Sequence, residues 1–209
     1  MPERWGCSNN QEDLPIGQWL PQIVDGRGVI RLLRNDNASS HGETLCVQYF
    51  AQDGQAGVDV TGFNFLNLRA TMFVNYQSLS RCGIRGSECP LMLRMDYIDR
   101  DGNPRQWFQG FYAFDSELYD YPPVCITCSP PQDTHQQINE KAWYTFETGN
   151  LFVKLADRLP GRILSITFYA SGHQYDVYVG EVALLAGRVE AFTPPPVEAT
   201  PTPPPTEDG

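Results

Sequence analysis

The sequence predicts an all-β protein, an antiparallel β-sandwich of about eight strands in a jelly-roll arrangement. Three observations favour this fold class. Segments rich in β-branched and aromatic residues follow one another, several of them alternate with period two, and clusters of Gly, Asn, Asp and Ser separate them. No long amphipathic helix is visible, and only 151–159 has a weak helical pattern. Two packed antiparallel sheets accommodate such a chain.

Eight segments carry the predicted strands, and the third shows the alternation most clearly. In chain order they are 28–35, 44–51, 64–78, 90–99, 105–114, 142–148, 162–171 and 175–186. Along the third, one face carries Leu66, Leu68, Ala70, Met72, Val74 and Tyr76, and the other carries Asn67, Arg69, Thr71, Phe73 and Asn75. Successive side chains of a strand point to opposite faces, so we expect the first set in the core. By the same rule Trp107 and Phe111 are expected on the buried side of the fifth strand, and Tyr112 on the other.

The stretch between the fourth and fifth predicted strands indicates a hairpin turn. Asp101, Gly102 and Asn103 are residue types that tolerate the positive φ angles of a tight connection. The Asp-x-Asp-Gly-Asn run could also begin a calcium loop, but an EF-hand needs a glutamate after its glycine, and none follows through Gly110. We therefore predict a turn and no cofactor, with an isolated structural Ca²⁺ site as the alternative.

The chain is predicted to have three parts: an N-terminal lead-in at 1–24, a β-sandwich domain at 25–190 and a Pro/Thr-rich linker at 191–209. Proline fixes φ and removes a hydrogen-bond donor, so the last part should be extended and act as a spacer. The first residues lack the basic start and apolar stretch of a signal peptide. The protein is therefore either cytosolic or a segment of a longer exported chain. The spacer favours the second interpretation, with neighbouring domains in the same chain.

Charge and hydropathy limit the classes of partner. The chain has 15 Lys and Arg against 25 Asp and Glu, a net charge of −10, and its basic residues are scattered. Phosphate backbones are bound by clustered Lys and Arg, so we do not expect a nucleic-acid partner. No apolar run approaches the length of a membrane span, so we do not expect membrane insertion either.

Four cysteines form two pairs that are close in sequence. Cys82 and Cys89 flank a short glycine-containing loop, and Cys125 and Cys128 form a Cys-x-x-Cys motif. Prolines on both sides of that motif leave no helix to activate a thiol, which argues against a redox enzyme. We predict disulfides, with a zinc site of all four thiolates or reduced thiols as the alternatives.

The remaining two cysteines bear on the compartment. Cys46 lies in an apolar strand pattern and could pair with Cys7 or be a small buried apolar residue. An even number of cysteines in a chain with the features of an exported segment favours disulfides. We therefore predict an extracellular or cell-envelope location.

Two stretches resemble a known family of domains. They are GSECPLMLRMDYIDRDGNPRQWFQGFY at 86–112 and LSITFYASGHQYDVYVGEVALLA at 164–186. They resemble the galactose-binding-like jelly roll of many carbohydrate-binding modules, as found in exported proteins of Chloroflexi-type bacteria. The resemblance covers roughly 25–187 and consists of core and turn residues. It implies a β-sandwich fold, and a shared fold alone does not define a ligand.

The long segment 114–143 carries the candidate ligand-binding residues. They are Glu117, Tyr119, Asp120, Tyr121, Gln136 and Trp143. Sugars are bound by flat aromatic rings against their C–H faces and by planar polar side chains at their hydroxyls. Binding residues also concentrate on loops held by a rigid scaffold. The alternative is that the tyrosines fasten the loop to the sandwich and that Trp143 belongs to the core.

Catalytic motifs are not visible in the sequence. The three histidines, His41, His135 and His173, lack metal-ligand spacing, and neither a Gly-x-Ser-x-Gly elbow nor a phosphate-binding glycine loop occurs. We therefore predict no enzymatic activity; the alternative is a glycosidase, which needs only two placed carboxylates, and the 25 acidic residues do not single out a pair. The leading hypothesis is a non-catalytic extracytoplasmic module of a larger surface protein that binds a glycan or cell-wall polysaccharide. The rival is a structural or protein-interaction β-sandwich, and an exposed row of aromatic rings on a sheet face or in the 114–143 segment would argue against it.

Overall fold

The computed structural model describes residues 5–35, 37–130 and 132–189 of the chain. These residues are mostly in β-strands. The strands are β1 (Trp5–Asn9), β2 (Gln18–Val24), β3 (Arg27–Arg34), β4 (Gly42–Tyr49), β5 (Ala51–Gln52), β6 (Gln55–Ala56), β7 (Val58–Asp59), β8 (Phe65–Gln77), β9 (Leu91–Asp99), β10 (Pro104–Tyr112), β11 (Gln136–Gln137), β12 (Trp143–Glu147), β13 (Pro160–Gly172) and β14 (Tyr175–Gly187). A short helix, α1, spans Leu151–Lys154, and a 3₁₀ turn follows at Ala156–Arg158.

The strands form two main sheets that pack face to face. The seven-stranded sheet has the order β1-β4-β13-β9-β10-β11, with β7 also paired to β13, and the five-stranded sheet has the order β12-β8-β14-β3-β2. Pairings between the described strands of these sheets are antiparallel, except the short one between β10 and β11. β5 and β6 form a separate ribbon. The chain crosses between the sheets from β3 to β4 and from β12 to β13 to β14, so the predicted antiparallel jelly-roll sandwich is confirmed.

All eight predicted strands are present, as β3, β4, β8, β9, β10, β12, β13 and β14. The predicted lead-in at 1–24 supplies two more: β1 is the edge strand beside β4, and β2 is the edge strand beside β3. Their sequences, WGCSN and QWLPQIV, are partly polar, and one contains a proline, which edge strands tolerate. The predicted linker at 191–209 lies outside the described residues. Within the part of the chain that is described, no helix has the length and apolar character that a membrane span requires.

The core lies between the two sheets. The inward residues of β8 from 66 to 74 are fully buried, as the alternation predicts. Trp107 and Phe111 of β10 are also fully buried, and the Phe111 ring centroid is 4.9 Å from that of Phe146 on β12. Burying one large apolar side chain contributes about 1.5–3 kcal/mol. These inward rows are therefore the main source of the stability of the sandwich.

A bulge near the end of β8 reverses the predicted alternation. Asp176 of β14 pairs with Tyr76 and Val177 pairs with Val74, so Asn75 has no partner in the ladder. An extra residue of this kind shifts the side chains beyond it to the opposite face. Tyr76, which the alternation predicts in the core, is consequently 45% exposed. The prediction for Tyr76 was wrong because a bulge cannot be read from period-two alternation.

A buried arginine fastens one end of the sandwich. Arg34 at the end of β3 is 1% exposed. Its guanidinium donates to the backbone carbonyls of Leu14, Pro15, Ser40, His41, Gly172 and His173. The planar fork of an arginine side chain suits several acceptors at once. This one residue therefore holds three separate connections together.

The end of β14 is tied to the loop that precedes β8. The Val189 N–H donates to Asn64 Oδ1 at 2.7 Å, and Asn64 Nδ2 donates to the Val189 carbonyl at 2.8 Å. Arg188 Nε donates to the Gly62 carbonyl at 2.8 Å. Arg188 and Val189 are therefore fixed beside the start of β8.

Candidate functional site

Three aromatic side chains cross the outer face of the five-stranded sheet in register. Trp143 of β12 pairs with Phe73 of β8, and Phe73 pairs with Tyr178 of β14. The row continues through Arg31 of β3 to Leu20 of β2. Residues paired across neighbouring strands point to the same face, here the face opposite the inward residues of β8. Trp143, Phe73 and Tyr178, termed the ring row, are half-buried and form an accessible apolar strip.

Neighbouring rings of the ring row are in contact. The Phe73 centroid lies 5.3 Å from that of Trp143 and 5.6 Å from that of Tyr178. Tilted and edge-to-face pairs at such separations are favourable. The Arg31 guanidinium carbon lies 5.5 Å from the Tyr178 centroid, within the range of a cation–π interaction. The strip is therefore continuous over three strands, and its rings hold one another in place.

The hairpin between β2 and β3 arches over the same face. Asp25 and Gly26, with φ angles of 51° and 75°, form its tight turn. Asp25 Oδ2 accepts a hydrogen bond from Trp143 Nε1 at 2.9 Å, and the Arg27 guanidinium carbon lies 5.2 Å from the Trp143 centroid. Because β12 lies at the edge of the sheet opposite β2, the hairpin must cross the outer face to make these contacts. It forms a wall beside the ring row and orients the indole.

Planar polar side chains lie next to the ring row. Arg31 Nε and Nη2 donate to the two oxygens of Asp176 at 2.7 and 2.8 Å, and Asn75 Nδ2 donates to Asp176 Oδ2 at 2.5 Å. The hydrogen bond to Asp176 raises the pKa of Arg31. Burial, and secondarily the Asp176 charge, raises the pKa of Tyr178. At neutral pH the site therefore presents a guanidinium, a carboxylate, an amide and an uncharged phenol in fixed orientations.

A shallow pocket opens beside this polar group. Its volume is about 210 Å³, and Arg31, Leu33, Tyr76, Gln174 and Asp176 contribute to its lining. Tyr76 reaches the outer face because of the bulge in β8. Ligand sites typically combine apolar surface with a few fixed polar groups. The ring row and this pocket together offer rings for the C–H faces of a sugar and planar groups for its hydroxyls.

A larger pocket, of about 540 Å³, lies on the outer face of the seven-stranded sheet at β9 and β10. Its polar group Asp96 accepts hydrogen bonds from Arg94, Gln106 and Ser165 at 2.8 to 3.0 Å. The single aromatic residue among its described lining residues, Tyr97, is fully buried. The pocket therefore lacks an exposed ring surface, and we place the candidate site at the ring row despite its smaller cavity.

The predicted tyrosines of the 114–143 segment stack on each other. The rings of Tyr119 and Tyr121 are parallel within 3°, with centroids 5.1 Å apart, and Tyr119 is 52% exposed. The Tyr121 carbonyl accepts a hydrogen bond from Arg81, whose Nε donates to Asp115 at 2.8 Å. The segment is thus fastened at this point, and the exposed face of the stack is still available to a ligand.

The other predicted ligand residues are distributed over both sheets. Glu117 and Asp120 are exposed in the same loop as the tyrosine pair. Gln136, on β11, donates to the Tyr144 hydroxyl at 2.5 Å. Trp143 is the first member of the ring row. The structure therefore brings four of the six predicted residues together in one loop and places Trp143 on the other sheet.

Parts of the 114–143 segment border and cover the seven-stranded sheet. Residues 132–137 run along its edge strand β10, where the Asp133 N–H donates to the Phe108 carbonyl at 2.9 Å. Residues 123–128 and the 82–89 loop, here termed the cover, lie on the outer face and are joined by a hydrogen bond from the Ile126 N–H to the Arg85 carbonyl at 3.0 Å. They enclose a second buried cluster whose members are Cys82, Cys89, Met92, Phe108 and Tyr169, with Cys128 packed against it. The chain itself therefore covers this part of the face.

All six cysteines are in disulfides. The pairs are Cys7–Cys46, Cys82–Cys89 and Cys125–Cys128. The predicted disulfides at the two sequence-local pairs are thus present, and the four-thiolate zinc site is not. Cys46 pairs with Cys7, which joins β4 to β1. The two local disulfides lie in the cover.

The carboxylate of Asp99 is used inside the predicted turn. Asp99 Oδ1 accepts hydrogen bonds from the N–H groups of Asp101 and Asn103, and Oδ2 accepts one from Arg105 Nε at 2.9 Å. Gly102 has a φ of 87°. These contacts confirm the hairpin and show that the first Asp of the Asp-x-Asp-Gly-Asn run bonds to groups of the turn and to Arg105.

Comparisons with known proteins give similarity of fold only. No protein-family model matches the sequence, and no curated protein matches it. The family 11 carbohydrate-binding module of cellulosomal cellulase Lic26A-Cel5E of Clostridium thermocellum has a TM-score of 0.46 and 12% identity, covering 90% of this chain and 91% of that chain. The CBM22-1 xylan-binding domain of Paenibacillus barcinonensis Xyn10C has a TM-score of 0.43 and 7% identity, covering 88% of each chain. The family 11 xylanase from Neocallimastix patriciarum has a TM-score of 0.45 and 13% identity, covering 87% of this chain and 90% of that chain.

These scores are too low to carry an argument about function. The class of the protein is therefore defined by its own geometry. It is an antiparallel jelly-roll sandwich in which the cover lies over part of one outer face, while the other outer face carries a row of aromatic rings beside planar polar groups.

The sequence predicts Trp143 as a ligand residue but does not identify Phe73, Tyr178 and Arg31 as its neighbours. One signal for Phe73 was present, because the alternation places this large ring on the wetter face of its strand. The row itself depends on the register of β12, β8, β14 and β3, which no local pattern specifies. The arch of the β2–β3 hairpin was likewise invisible in the sequence.

Proposed function

We propose that the protein is a glycan-binding module and that a polysaccharide binds along the ring row. The observation that carries this proposal is the alignment of Trp143, Phe73 and Tyr178 across three strands, beside the Arg31–Asp176 pair. Rings in one line suit the repeating C–H faces of a polysaccharide chain. The bidentate pair fixes donors and acceptors for the hydroxyls at the end of that line.

The charges of this face favour a neutral polysaccharide. The whole chain has a net charge of −10. Arg31 is paired with Asp176, and Arg69 lies 3.9 Å from Glu147 and 3.3 Å from Glu181. An anionic polymer would be repelled by the net charge of the chain, and Arg31 and Arg69 are already paired with carboxylates, which leaves Arg27 as the cation beside Trp143. We therefore infer that the ligand is a neutral glycan.

The disulfides support a role outside the cytoplasm. Disulfides form and persist in oxidising compartments, and this chain has three of them. We propose that the protein is extracellular or belongs to the cell envelope, and that the Pro/Thr-rich segment at 191–209 connects it to neighbouring domains of a surface protein. In that setting it would hold its neighbours close to a polysaccharide and would not be an enzyme.

Polysaccharide binding by matched variants tests the proposal. Soluble and insoluble β-glucans, xylans, galactans and mannans are tested by pull-down and calorimetry, with and without Ca²⁺. The double variant Trp143→Ala/Tyr178→Ala is compared with Tyr119→Ala/Tyr121→Ala. We expect the unmodified protein to bind at least one polymer, the ring-row variant to lose binding and the loop variant to retain it. Added Ca²⁺ should have no effect.

The same experiment can contradict the proposal in two ways. If the unmodified protein binds none of the polymers, the glycan role fails and the rival, a structural or protein-interaction domain, is favoured. If only the loop variant loses binding, the site is the tyrosine pair and not the ring row. Near-UV circular dichroism of each variant separates loss of binding from loss of fold.

A further inference from the structure

Three potential metal ligands lie together where the cover meets the seven-stranded sheet. The sulfur atoms of Cys82 and Cys89 and a ring nitrogen of His135 are all within 4.8 Å of one another, and all three residues are buried. The two cysteines are joined by a disulfide in this structure. The cluster is on the opposite side of the sandwich from the ring row and is independent of it.

His135 has the orientation of a metal-ligating histidine. Its Nε2–H donates to the Gly86 carbonyl at 2.7 Å, which fixes the tautomer and leaves the Nδ1 lone pair free. His135 is only 7% exposed, and its Nδ1 has no hydrogen-bond partner among the described residues. A buried acceptor without a partner is destabilising.

Two glycines leave the space in which these atoms meet. A Cβ on Gly110 of β10 would come within 2.4 Å of both Cys89 Sγ and His135 Nδ1. Gly86 has a φ of 64°, and a Cβ there would lie 2.2 Å from the Val124 carbonyl oxygen. No other residue type fits at either position without a shift of its neighbours. The glycines therefore bring β10 and the 82–89 loop close around the sulfur and nitrogen atoms.

We propose that Cys82, Cys89 and His135 bind a divalent cation such as Zn²⁺ when the Cys82–Cys89 disulfide is reduced. Thiolate and imidazole are preferred zinc ligands, with Zn–S of about 2.3 Å and Zn–N of about 2.0 Å in a tetrahedral arrangement. Three protein ligands leave the fourth position to water or a small thiol. Two thiolates also neutralise the cation, so the occupied site adds no net charge to its apolar surroundings.

Two balanced steps connect the closed and occupied states. A dithiol reductant first opens the Cys82–Cys89 bond, in which two electrons and two protons are taken up, two thiols form and the reductant becomes a cyclic disulfide. Zn²⁺ then binds the two sulfur atoms and His135 Nδ1, and the two thiol protons are released to solvent. A small-molecule disulfide, itself reduced to two thiols with two protons from solvent, then accepts two electrons from the two sulfur atoms, which restores the Cys82–Cys89 bond and releases Zn²⁺.

Metal titration of the full chain tests this site. The protein is reduced with a dithiol under native conditions, transferred to oxygen-free buffer without reductant and titrated with Co²⁺ in competition with Zn²⁺. The sulfur-to-cobalt charge-transfer absorption reports thiolate coordination. We expect reduced protein and the control variant His173→Asn to bind, and His135→Asn to bind roughly 100-fold more weakly, the upper range for disturbed metal sites. Oxidised protein should give no such absorption.

A second variant accounts for the other cysteines. Cys82→Ser/Cys89→Ser retains the remaining four thiols, so its signal after reduction measures metal bound elsewhere. Equal Co²⁺ affinity and spectra for the reduced unmodified protein and either variant, His135→Asn or Cys82→Ser/Cys89→Ser, would overturn the proposal. So would a disulfide that stays closed in the folded protein, detected as unalkylated Cys82 and Cys89 by peptide mass mapping. Unfolding on reduction, seen by near-UV circular dichroism, would overturn it as well, because the ligands meet only in the folded chain.

Discussion

The two outer faces of the sandwich carry similar aromatic residues in different roles. On the seven-stranded sheet, Phe108 and Tyr169 are buried beneath the cover. On the five-stranded sheet, the rings of Phe73 and Tyr178 are half-buried, and the β2–β3 hairpin borders them without closing the face. Outward-pointing rings therefore make a second core on one face and a candidate binding surface on the other. The difference is set by whether another segment of the chain is tied across the face.

The interactions that stabilise the two faces differ as well. Two disulfides close loops within the cover, and backbone hydrogen bonds attach it to neighbouring segments, whereas ring contacts and one bidentate ion pair organise the open face. Substitutions on the two faces should consequently affect different properties of the protein. Substitutions on the covered face should lower the free energy of unfolding, and substitutions on the open face should chiefly lower affinity for a ligand.

Phe108→Ala should have the largest effect on stability. Phe108 is 7% exposed in the buried cluster under the cover, and removing a buried phenyl ring costs about 3 kcal/mol. Urea denaturation should show this loss in the free energy of unfolding, with polysaccharide affinity unchanged. Phe73→Ala is the matched control on the open face and should cost clearly less. Equal losses for the two variants would remove the distinction between the faces.

Asp176→Asn should act on both stability and binding. The substitution keeps the shape of the side chain but removes the charge that holds Arg31 through two hydrogen bonds. Hydrogen bonds to charged groups contribute about 1.5–3 kcal/mol, so we expect a loss of about 2 kcal/mol in the free energy of unfolding and weaker polysaccharide binding. Asp120→Asn, in the exposed loop, is the control and should change neither. Unchanged affinity in Asp176→Asn would exclude the polar group from the site.

Tyr119→Ala should have a small effect. The stacked pair is partly exposed, and an aromatic pair contributes about 0.5–1.5 kcal/mol beyond area burial. We therefore expect a loss of about 0.5 kcal/mol in the free energy of unfolding, measured by urea denaturation, with no change in affinity. A loss larger than that of Phe108→Ala would mean that this loop, and not the buried cluster beneath the cover, stabilises that side of the molecule.

His41→Gln should have the smallest effect, confined to acidic pH. Glu88 in the cover lies 3.0 Å from His41 Nδ1; their hydrogen bond raises the pKa of His41 above 6.5 and lowers that of Glu88 below 4.5. The contribution of His41 is complete below pH 6.5 and is lost as pH rises through its folded-state pKa. The contribution of Glu88 is complete above pH 4.5 and is lost as pH falls through its own.

The pair should therefore stabilise the fold most between pH 4.5 and 6.5. Because His41 is largely exposed, the effect should be a few tenths of a kcal/mol. Thermal unfolding across that range should show the difference between the unmodified protein and His41→Gln. A difference that grows above pH 8 would contradict the assignment of the charged pair.

The sequence predicted the eight strands and the two short-range disulfides well, because each depends on residues that are close together in the sequence. Eight runs of β-forming residues with turn residues between them identify eight strands, and cysteines seven and three residues apart can bridge without information from elsewhere. The edge strands β1 and β2 were not predicted, because they bury little apolar surface. They also carry polar residues or proline, which obscures the alternation of apolar and polar residues. The bulge at Asn75 was not predicted, because a bulge is visible only in the pairing of a strand with its neighbour.

The candidate site was predicted poorly for a related reason. Trp143 could be selected from the sequence as an exposed-ring candidate, but Phe73, Tyr178 and Arg31 join it only through the register of four strands distant in sequence. The 114–143 segment has the composition of a binding loop, and the same aromatic and polar residues also suit a segment tied to a sheet. Composition does not distinguish a binding loop from a segment attached to a sheet, because the two differ in the hydrogen bonds that the segment makes with the rest of the chain.

The two hydrogen bonds between Val189 and Asn64 have a mechanical consequence. Tension applied at Val189 would load β14, whose residues Tyr175–Val179 pair with both β8 and β3 and whose residues Val182–Gly187 pair with β8 alone. Pulled along its length, a strand paired on both sides must break its ladder hydrogen bonds together, whereas a strand at an edge can be peeled away one bond at a time. Resistance to traction from this point would therefore come chiefly from the half of β14 that both neighbours hold.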